Sequence, residues 1–255
     1  DEKIKKCTDE SNKIQAASKT SYPETPNCDQ TSLDDQVRTQ YGVYVGMEYT
    51  VGDFIYRVTA IDSITSGRTK LIGVVAAKKS KLTKVTVPNT ANFKGYGLNV
   101  TEVGDNAFKA MKKLKKVTFG ANVKVIGKAA FSNCKKLNKI NFKNVTTIGN
   151  NAFAGCKALK KLTIGSKVTT IGKNAFKKCT KIKTVVIGKS VKTIKAKAFT
   201  KDNKIKKITF KGKKLKTVKK NALSSKVKKN VKAKKTKLKG NKKAIKVFKK
   251  KLKIR

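Results

Sequence analysis

The chain has 255 residues with an ordinary hydrophobic fraction of 38%, but its charge is strongly unbalanced: 64 Lys and Arg against 14 Asp and Glu, a net of +50. The absence of His excludes Ser-His and Cys-His catalytic dyads. The sequence contains no apolar run of 18 or more residues, so no membrane span is predicted. The charge is concentrated in residues 100–255, which hold 50 of the basic residues and only three acids. Such a field attracts polyanions and acidic protein surfaces.

Residues 1–40 are polar, contain Pro23 and Pro26, and are predicted to form a tail or tether. Cys7 and Cys28 lie in this segment, where they form a disulfide in an oxidising compartment or remain free thiols. The chain begins at Asp1 without a basic and then apolar leader, so we expect that a secretory signal has been removed.

Residues 41–99 are predicted to form an N-terminal β cap. Three stretches, VGDFIYRVTAI, TKLIGVVAA and KLTKVTV, show the alternation or the short apolar run of strands, and a Gly-containing link separates the first two. We expect these hairpin strands to cover the apolar end of the region that follows, because the terminal units of a stacked array need a cap.

Residues 100–223 repeat with a period of about 23. Five Phe residues lie 23, 22, 23 and 23 positions apart, and each follows a phrase such as VTTIGNNA. An aliphatic residue comes six positions after each Phe, and a Cys comes three positions after the second, third and fourth. These repeat-core residues are Phe108, Phe131, Phe153, Phe176, Phe199, Leu114, Leu137, Leu159, Ile182, Ile205, Cys134, Cys156 and Cys179.

A fixed period of this length predicts a solenoid of about five to six coils. Each coil is expected to contain short β-strands and one helical or 3₁₀ turn that carries the Phe inward. The Gly of V-x-x-I-G is expected to allow a bend or a positive φ. The one-per-coil Cys column is interpreted as core packing, and neither a metal site nor a cofactor site is predicted.

Residues 224–255 form a lysine-rich C-terminal cap or tail in this interpretation. Apolar residues interrupt the lysines at intervals, which favours a cap with a solvated surface over a free polyanion-binding tail. A sixth, degraded copy of the repeat, KLKTVKKNAL, precedes this segment.

The composite phrase V-T-x-I-G-x-x-A-F-x-x-C-x-x-L-x-x-V-x-I-G resembles the BspA-like, treponemal-type leucine-rich repeats of bacterial surface proteins. Residues 144–165, NVTTIGNNAFAGCKALKKLTIG, match it nearly position for position. The family usually has Pro where this chain has Gly or Lys after the second strand, as at Gly165 and Lys211. The resemblance implies a curved right-handed array, a secreted or cell-surface location, and binding of host proteins or other cells without catalysis.

Residues between the core positions of L-x-x-V-x-F/I must face away from the core, and they define the candidate binding surface. The binding columns comprise Lys116, Lys139, Lys161, Lys207, Thr118, Asn141 and Thr163, with Thr184, Val186 and Thr209 in the same register. A solvated face without a ligand is the alternative interpretation.

Two functions follow as hypotheses. The first is a non-enzymatic adhesion protein whose repeat surface binds a host matrix or cell-surface protein. The second is an electrostatic binder of polyanions, such as a heparin-like glycan, teichoic acid or nucleic acid. Sequence-specific nucleic-acid recognition is not expected, because Lys supplies nearly all the charge and Arg255 is the only Arg beyond residue 99.

Overall fold

The computed structural model describes residues 46–254, apart from 66–67, 78–81, 94–95, 203, 220 and 236. The predicted tail at 1–40 and the Cys7–Cys28 pair lie outside the described residues. Within the described ranges the chain forms a solenoid built mainly from short β-strands.

The N-terminal part consists of six strands. They are β1 Glu48–Val51, β2 Phe54–Thr65, β3 Arg68–Ala77, β4 Lys84–Val87, β5 Thr90–Phe93 and β6 Tyr96–Val103. Three of these, β2, β3 and β4, coincide with the stretches that alternation indicated. β1, β2 and β3 pair antiparallel in succession, and β3 then pairs in parallel with β6. The hairpins therefore continue the sheet of the coils at its N-terminal end.

Each subsequent coil contributes two short parallel strands. Strands of the first set come from V-x-x-I and are β8 Val125–Ile126, β10 Thr147–Ile148, β12 Thr170–Ile171, β14 Thr193–Ile194 and β16 Thr217–Val218. Strands of the second set come from L-x-x-V-x-F/I and are β7 Lys116–Phe119, β9 Lys139–Ile140, β11 Lys161–Thr163, β13 Thr184–Ile187 and β15 Lys207–Phe210. The β-branched residues of both sets suit a pleated surface that is buried on one side.

The two sets of strands form separate sheets. The first set extends the N-terminal hairpins into a ten-stranded sheet in the order β1-β2-β3-β6-β8-β10-β12-β14-β16, with β5 on β6. The second set forms two ladders, β4-β7-β9 and β11-β13-β15. The division falls between β9 and β11, where the repeat is one residue short in sequence. Losing one residue there disturbs the ladder register.

Each Phe is carried inward by a short turn that does not extend into a helix. No α-helical or 3₁₀ segment occurs in the described part of residues 100–223. Each corner is instead a series of tight turns, such as Ser132 N–H to Ala129 C=O and Cys134 N–H to Phe131 C=O. Residues with left-handed backbone, for example Ala129 (φ 54°) and Asn133 (φ 61°), interrupt every corner. A right-handed helix cannot pass through such residues, so each corner consists of separate single turns and not of a continuous helical segment.

The reason for the repeated Gly differs from the prediction. Gly149 and Gly172 do not have positive φ. A Cβ on Gly149 would lie 2.6 Å from the carbonyl oxygen of Ile126 in the coil before it. A Cβ on Gly172 would lie 2.5 Å from the carbonyl carbon of Gly149. Gly is therefore needed because adjacent backbones approach each other closely at this corner.

The core is a set of side-chain columns that run along the solenoid. The five repeat Phe rings stack in sequence, with centroid distances of 5.0, 5.2, 5.5 and 5.6 Å and interplanar angles of 2–7°. Every repeat-core residue is buried, including the aliphatic residue six positions after each Phe. Phe54 of β2 meets the first ring, Phe108, edge-on at 6.0 Å.

The C-terminal region adds two helices and one strand, none of which the sequence interpretation specified. They are α1 Ser225–Lys232, β17 Lys237–Gly240 and α2 Lys242–Lys251. Ser224 and Asn241 cap the two helices through their side chains. β17 pairs in parallel with β15, and Phe248 of α2 packs against Phe210 at 5.0 Å. The apolar residues among the lysines thus bury themselves against the last coil.

Candidate binding surface

The outward residues of β4, β7, β9, β11, β13, β15 and β17 form one polar surface, which we call the ladder face. Its first column consists of Lys84, Lys116, Lys139, Lys161, Thr184, Lys207 and Lys237. The residue two positions on in each strand gives the second column, which consists of Thr86, Thr118, Asn141, Thr163, Val186, Thr209 and Lys239. All of these side chains are exposed or half-buried. Within each ladder, neighbouring members of a column are about 4.8 Å apart, the spacing of hydrogen-bonded strands, and the division between the ladders falls between Lys139 and Lys161.

Strand alternation explains why these side chains share a face. In β7, Val117 points into the core, whereas Lys116 and Thr118 flank it on the outer side. The pattern recurs in β11, where Leu162 is buried between exposed Lys161 and Thr163. The sequence-predicted columns therefore lie together on the surface.

The structure lengthens both columns beyond the sequence prediction. Lys84 and Thr86 of β4 pair with Lys116 and Thr118, and Lys237 of β17 pairs with Lys207. The signal for β4 was present in the sequence, because Leu82, Val85 and Val87 repeat the L-x-x-V-x-F/I spacing. The signal for β17 was weak, because α1 separates this strand from the sixth copy of the repeat.

Hydroxyl groups connect the coils at the start of the second column. Thr86 Oγ1 and Thr118 Oγ1 lie 3.2 Å apart, and Thr118 Oγ1 also donates to the Val85 carbonyl at 3.4 Å. The ladder face therefore combines a line of ammonium groups with a parallel line that is mainly hydroxyl and amide groups.

The lysines of the ladder face make no ion pair within the described ranges. Two of the three acids beyond residue 99 lie at the start of the array, where the Asp105 carboxylate accepts the backbone N–H of Lys128. Burial, and then the Asp105 charge, raise the pKa of Glu102. The Asp105 carboxylate thus links the first coil to the backbone of the second. The third acid, Asp202, is fully buried.

The Cys column is a hydrogen-bonded part of the core. The thiols of Cys134, Cys156 and Cys179 donate to the carbonyl oxygens of Phe108, Phe131 and Phe153 in the preceding coils, at 3.0, 3.2 and 3.1 Å. Burial raises the pKa of Cys134 to about 11 and raises those of Cys156 and Cys179 well above 9.0. The thiols are therefore neutral at physiological pH, which makes them poor nucleophiles and poor metal ligands. No group of three or more potential metal ligands occurs in the described part of the chain.

The sequence model of a protein family, the BspA type leucine-rich repeat region, matches residues 99–234 in six copies. The chain belongs to this family. The match includes the degraded sixth copy and α1, so the repeat continues past the last Phe. No described helix is long and apolar enough to cross a membrane.

Solved structures of leucine-rich repeat proteins share the fold of this BspA-type chain. One from Bacteroides ovatus is 22% identical and has a TM-score of 0.53 over 77% of this chain and 54% of its own. The leucine-rich repeat protein of Treponema pallidum is 24% identical and has a TM-score of 0.52 over 70% of this chain and 84% of its own. A leucine-rich cell surface protein from Faecalibacterium prausnitzii is 22% identical, with a TM-score of 0.43 over 64% of this chain and 54% of its own.

The chain spans only about half the length of the Bacteroides ovatus protein. No curated protein matches its sequence significantly. The family is consistent with a binding or adhesion scaffold.

Proposed function

We propose that this chain is a non-enzymatic adhesion module, secreted or held at the cell surface, that binds a host matrix or cell-surface protein through the ladder face. The observation that carries the proposal is the two columns of mainly Lys and Thr side chains, exposed or half-buried, that recur on seven strands in two adjoining ladders. Parallel strands within each ladder hold the backbones of these residues in register, so that less backbone entropy is lost when a partner docks. The chain contains no His and the thiols of the repeat are buried and neutral, which favours a binding role over catalysis by a His dyad or by these thiols.

The test is a binding screen of the full chain against matrix proteins and host cells, with matched variants of three coils. The ladder variant replaces Lys116, Lys139 and Lys161 by Gln. The control variant replaces Lys112, Lys135 and Lys157 by Gln, which removes the same charge from exposed corner positions of the same coils. We expect at least a tenfold loss of affinity for the ladder variant and a much smaller loss for the control. Equal losses, or no binding to any partner at physiological salt, would contradict the proposal.

A second candidate function is the binding of an extended polyanion, such as an anionic glycan or wall polymer. The extension of the column to Lys84 and Lys237 favours it, since six lysines then follow one line along the solenoid axis. A linear polymer is able to contact all six, whereas a globular partner covers a shorter part of such a narrow line.

Salt dependence separates the two candidates. The logarithm of polyanion affinity falls with the logarithm of salt concentration in proportion to the number of lysines engaged. The ladder variant should therefore reduce that slope for a heparin fragment by about two to three, and the control variant should leave it nearly unchanged. Partner binding that survives at high salt and depends on the Thr column supports the protein-binding function instead.

A further inference from the structure

One buried acid lies in the core column where other coils place a thiol. Asp202 follows Phe199 by three residues, as Cys179 follows Phe176. Its exposed fraction is 0%, and neither carboxyl oxygen has a hydrogen-bond partner among the described residues. An ionised carboxylate in such a position is strongly unfavourable.

The thiol column indicates what this position requires. Cys134 and Cys179 each donate to the carbonyl of the Phe that lies 26 residues earlier, and Cys156 donates to the Phe 25 residues earlier. The same separation leads from Asp202 to Phe176, whose carbonyl accepts the N–H of Cys179 at 3.3 Å and has a second lone pair. A carboxylate can only accept hydrogen bonds and repels this oxygen, whereas a protonated carboxyl can donate to it as the thiols do.

We propose that Asp202 is a neutral carboxylic acid whose O–H donates a hydrogen bond to the Phe176 carbonyl. Ionisation of this carboxyl would loosen the coil that contains Asp202 and the C-terminal region packed on it. This region contains β15 and β17, whose outward residues Lys207 and Lys237 end the ladder face. The proton on Asp202 thus controls how firmly the end of the ladder face is held. The inference does not depend on what the ladder face binds.

The surroundings of Asp202 offer little to stabilise a negative charge. The coil before it contributes the Cys179 thiol, which is neutral, carries no positive charge and already donates its hydrogen to the Phe153 carbonyl. The coil after it contributes Ala222 and Leu223, which are buried and pair with Phe199, and α1 turns Val227 inward. The nearest basic residues in the sequence, Lys201 and Lys204, are exposed. No lysine of the described chain is among the groups that shift the titration of Asp202.

Burial accordingly raises the pKa of Asp202 from 3.8 to about 8, and the backbone amide of Cys179 opposes this shift only in part. The folded state therefore holds a proton that the unfolded state releases above pH 4. The stabilisation is complete below pH 4 and decreases as the pH rises, until Asp202 also ionises in the folded state near pH 8.

The experiment compares the full chain with Asp202→Asn and Asp202→Cys at constant ionic strength. Asn stays neutral at all pH values, and Cys restores the residue of the other coils. Across the window from pH 4 to 8, the folding equilibrium constant of the wild type should fall relative to that of Asp202→Asn by up to tenfold per pH unit. Hydrogen exchange of residues 199–254 in the wild type should accelerate beyond the intrinsic rate across the same window, from pH 4 to 8, more than exchange in the middle coils, and should level off above pH 8.

A direct titration of the Asp202 carboxyl carbon by NMR requires no substitution and therefore does not depend on either variant folding. A midpoint above pH 7 supports the inference. A midpoint near pH 4, or parallel pH–stability curves for the wild type and Asp202→Asn, would overturn it.

Discussion

The middle coils and the last coil of the array share one scaffold but differ at the positions that matter most for stacking. From the second to the fourth coil, every corner has its Gly, its Phe and its Cys. In the fifth coil, Lys195 replaces the Gly and Asp202 replaces the Cys. In the sixth coil, Lys219 replaces the Gly and Leu223 replaces the Phe. In a solenoid each coil is stabilised mainly by its neighbours, so the last coil has both weaker columns and fewer neighbours.

This difference shows how a repeat protein can vary its stability along its length without changing its fold. The middle coils combine close backbone contact, stacked rings and thiol hydrogen bonds. The last coil relies on α1 and α2, with Phe248 against Phe210, to cover its apolar end. We therefore expect the C-terminal end to open first when the protein is destabilised.

The largest expected loss of stability comes from removing a Phe ring of the stacked column, and the loss should differ between the middle coils and the C-terminal end. Phe153 is stacked between Phe131 and Phe176, whereas Phe199 has one stacked ring, that of Phe176. Phe153→Ala should lower the free energy of unfolding by about 4 kcal/mol, because it removes a fully buried ring and leaves a cavity. Phe199→Ala should lower it by about 3 kcal/mol, and urea unfolding measures both. Equal losses would mean that the stack does not strengthen the middle coils.

A smaller effect is expected at the Gly column. Gly149→Ala places a Cβ against the Ile126 carbonyl, so the two coils must separate slightly, and we expect a loss of about 2–3 kcal/mol. Lys195→Ala alters the equivalent position of the fifth coil. Because Lys195 already has a Cβ, this change should alter stability by less than about 0.5 kcal/mol. Gly97→Ala is a second control, since the nearest atom to its added Cβ is 3.7 Å away. Thermal unfolding of the three variants checks the order, and a neutral Gly149→Ala would contradict the close-approach explanation.

The smallest effect concerns the thiols. Cys156→Ala removes the hydrogen bond to the Phe131 carbonyl and a small buried volume, and should cost about 1–2 kcal/mol. Cys156→Ser retains a donor and should cost less, despite the burial of a more polar group. Native protein should react with a thiol reagent at Cys134, Cys156 and Cys179 only as fast as it unfolds, because the three thiols are buried and neutral. Rapid labelling in the folded state would show that this column is open to solvent.

The sequence by itself determined the architecture, the repeat core and the outward Lys and Thr columns. It could do so because a fixed period transfers one local pattern to every coil. Position in the repeat therefore fixed which side chains face inward, and this needed no knowledge of distant contacts.

Only the tertiary structure decided what depends on contacts between coils. Gly149 is required by the backbone of the preceding coil and not by its own φ, and the corners are tight turns because left-handed residues interrupt them. The extension of the ladder face to Lys237 depends on how the chain returns after α1. Asp202 looks like an ordinary polar residue of a basic sequence, and its unusual state arises because stacking encloses it in a column of thiols.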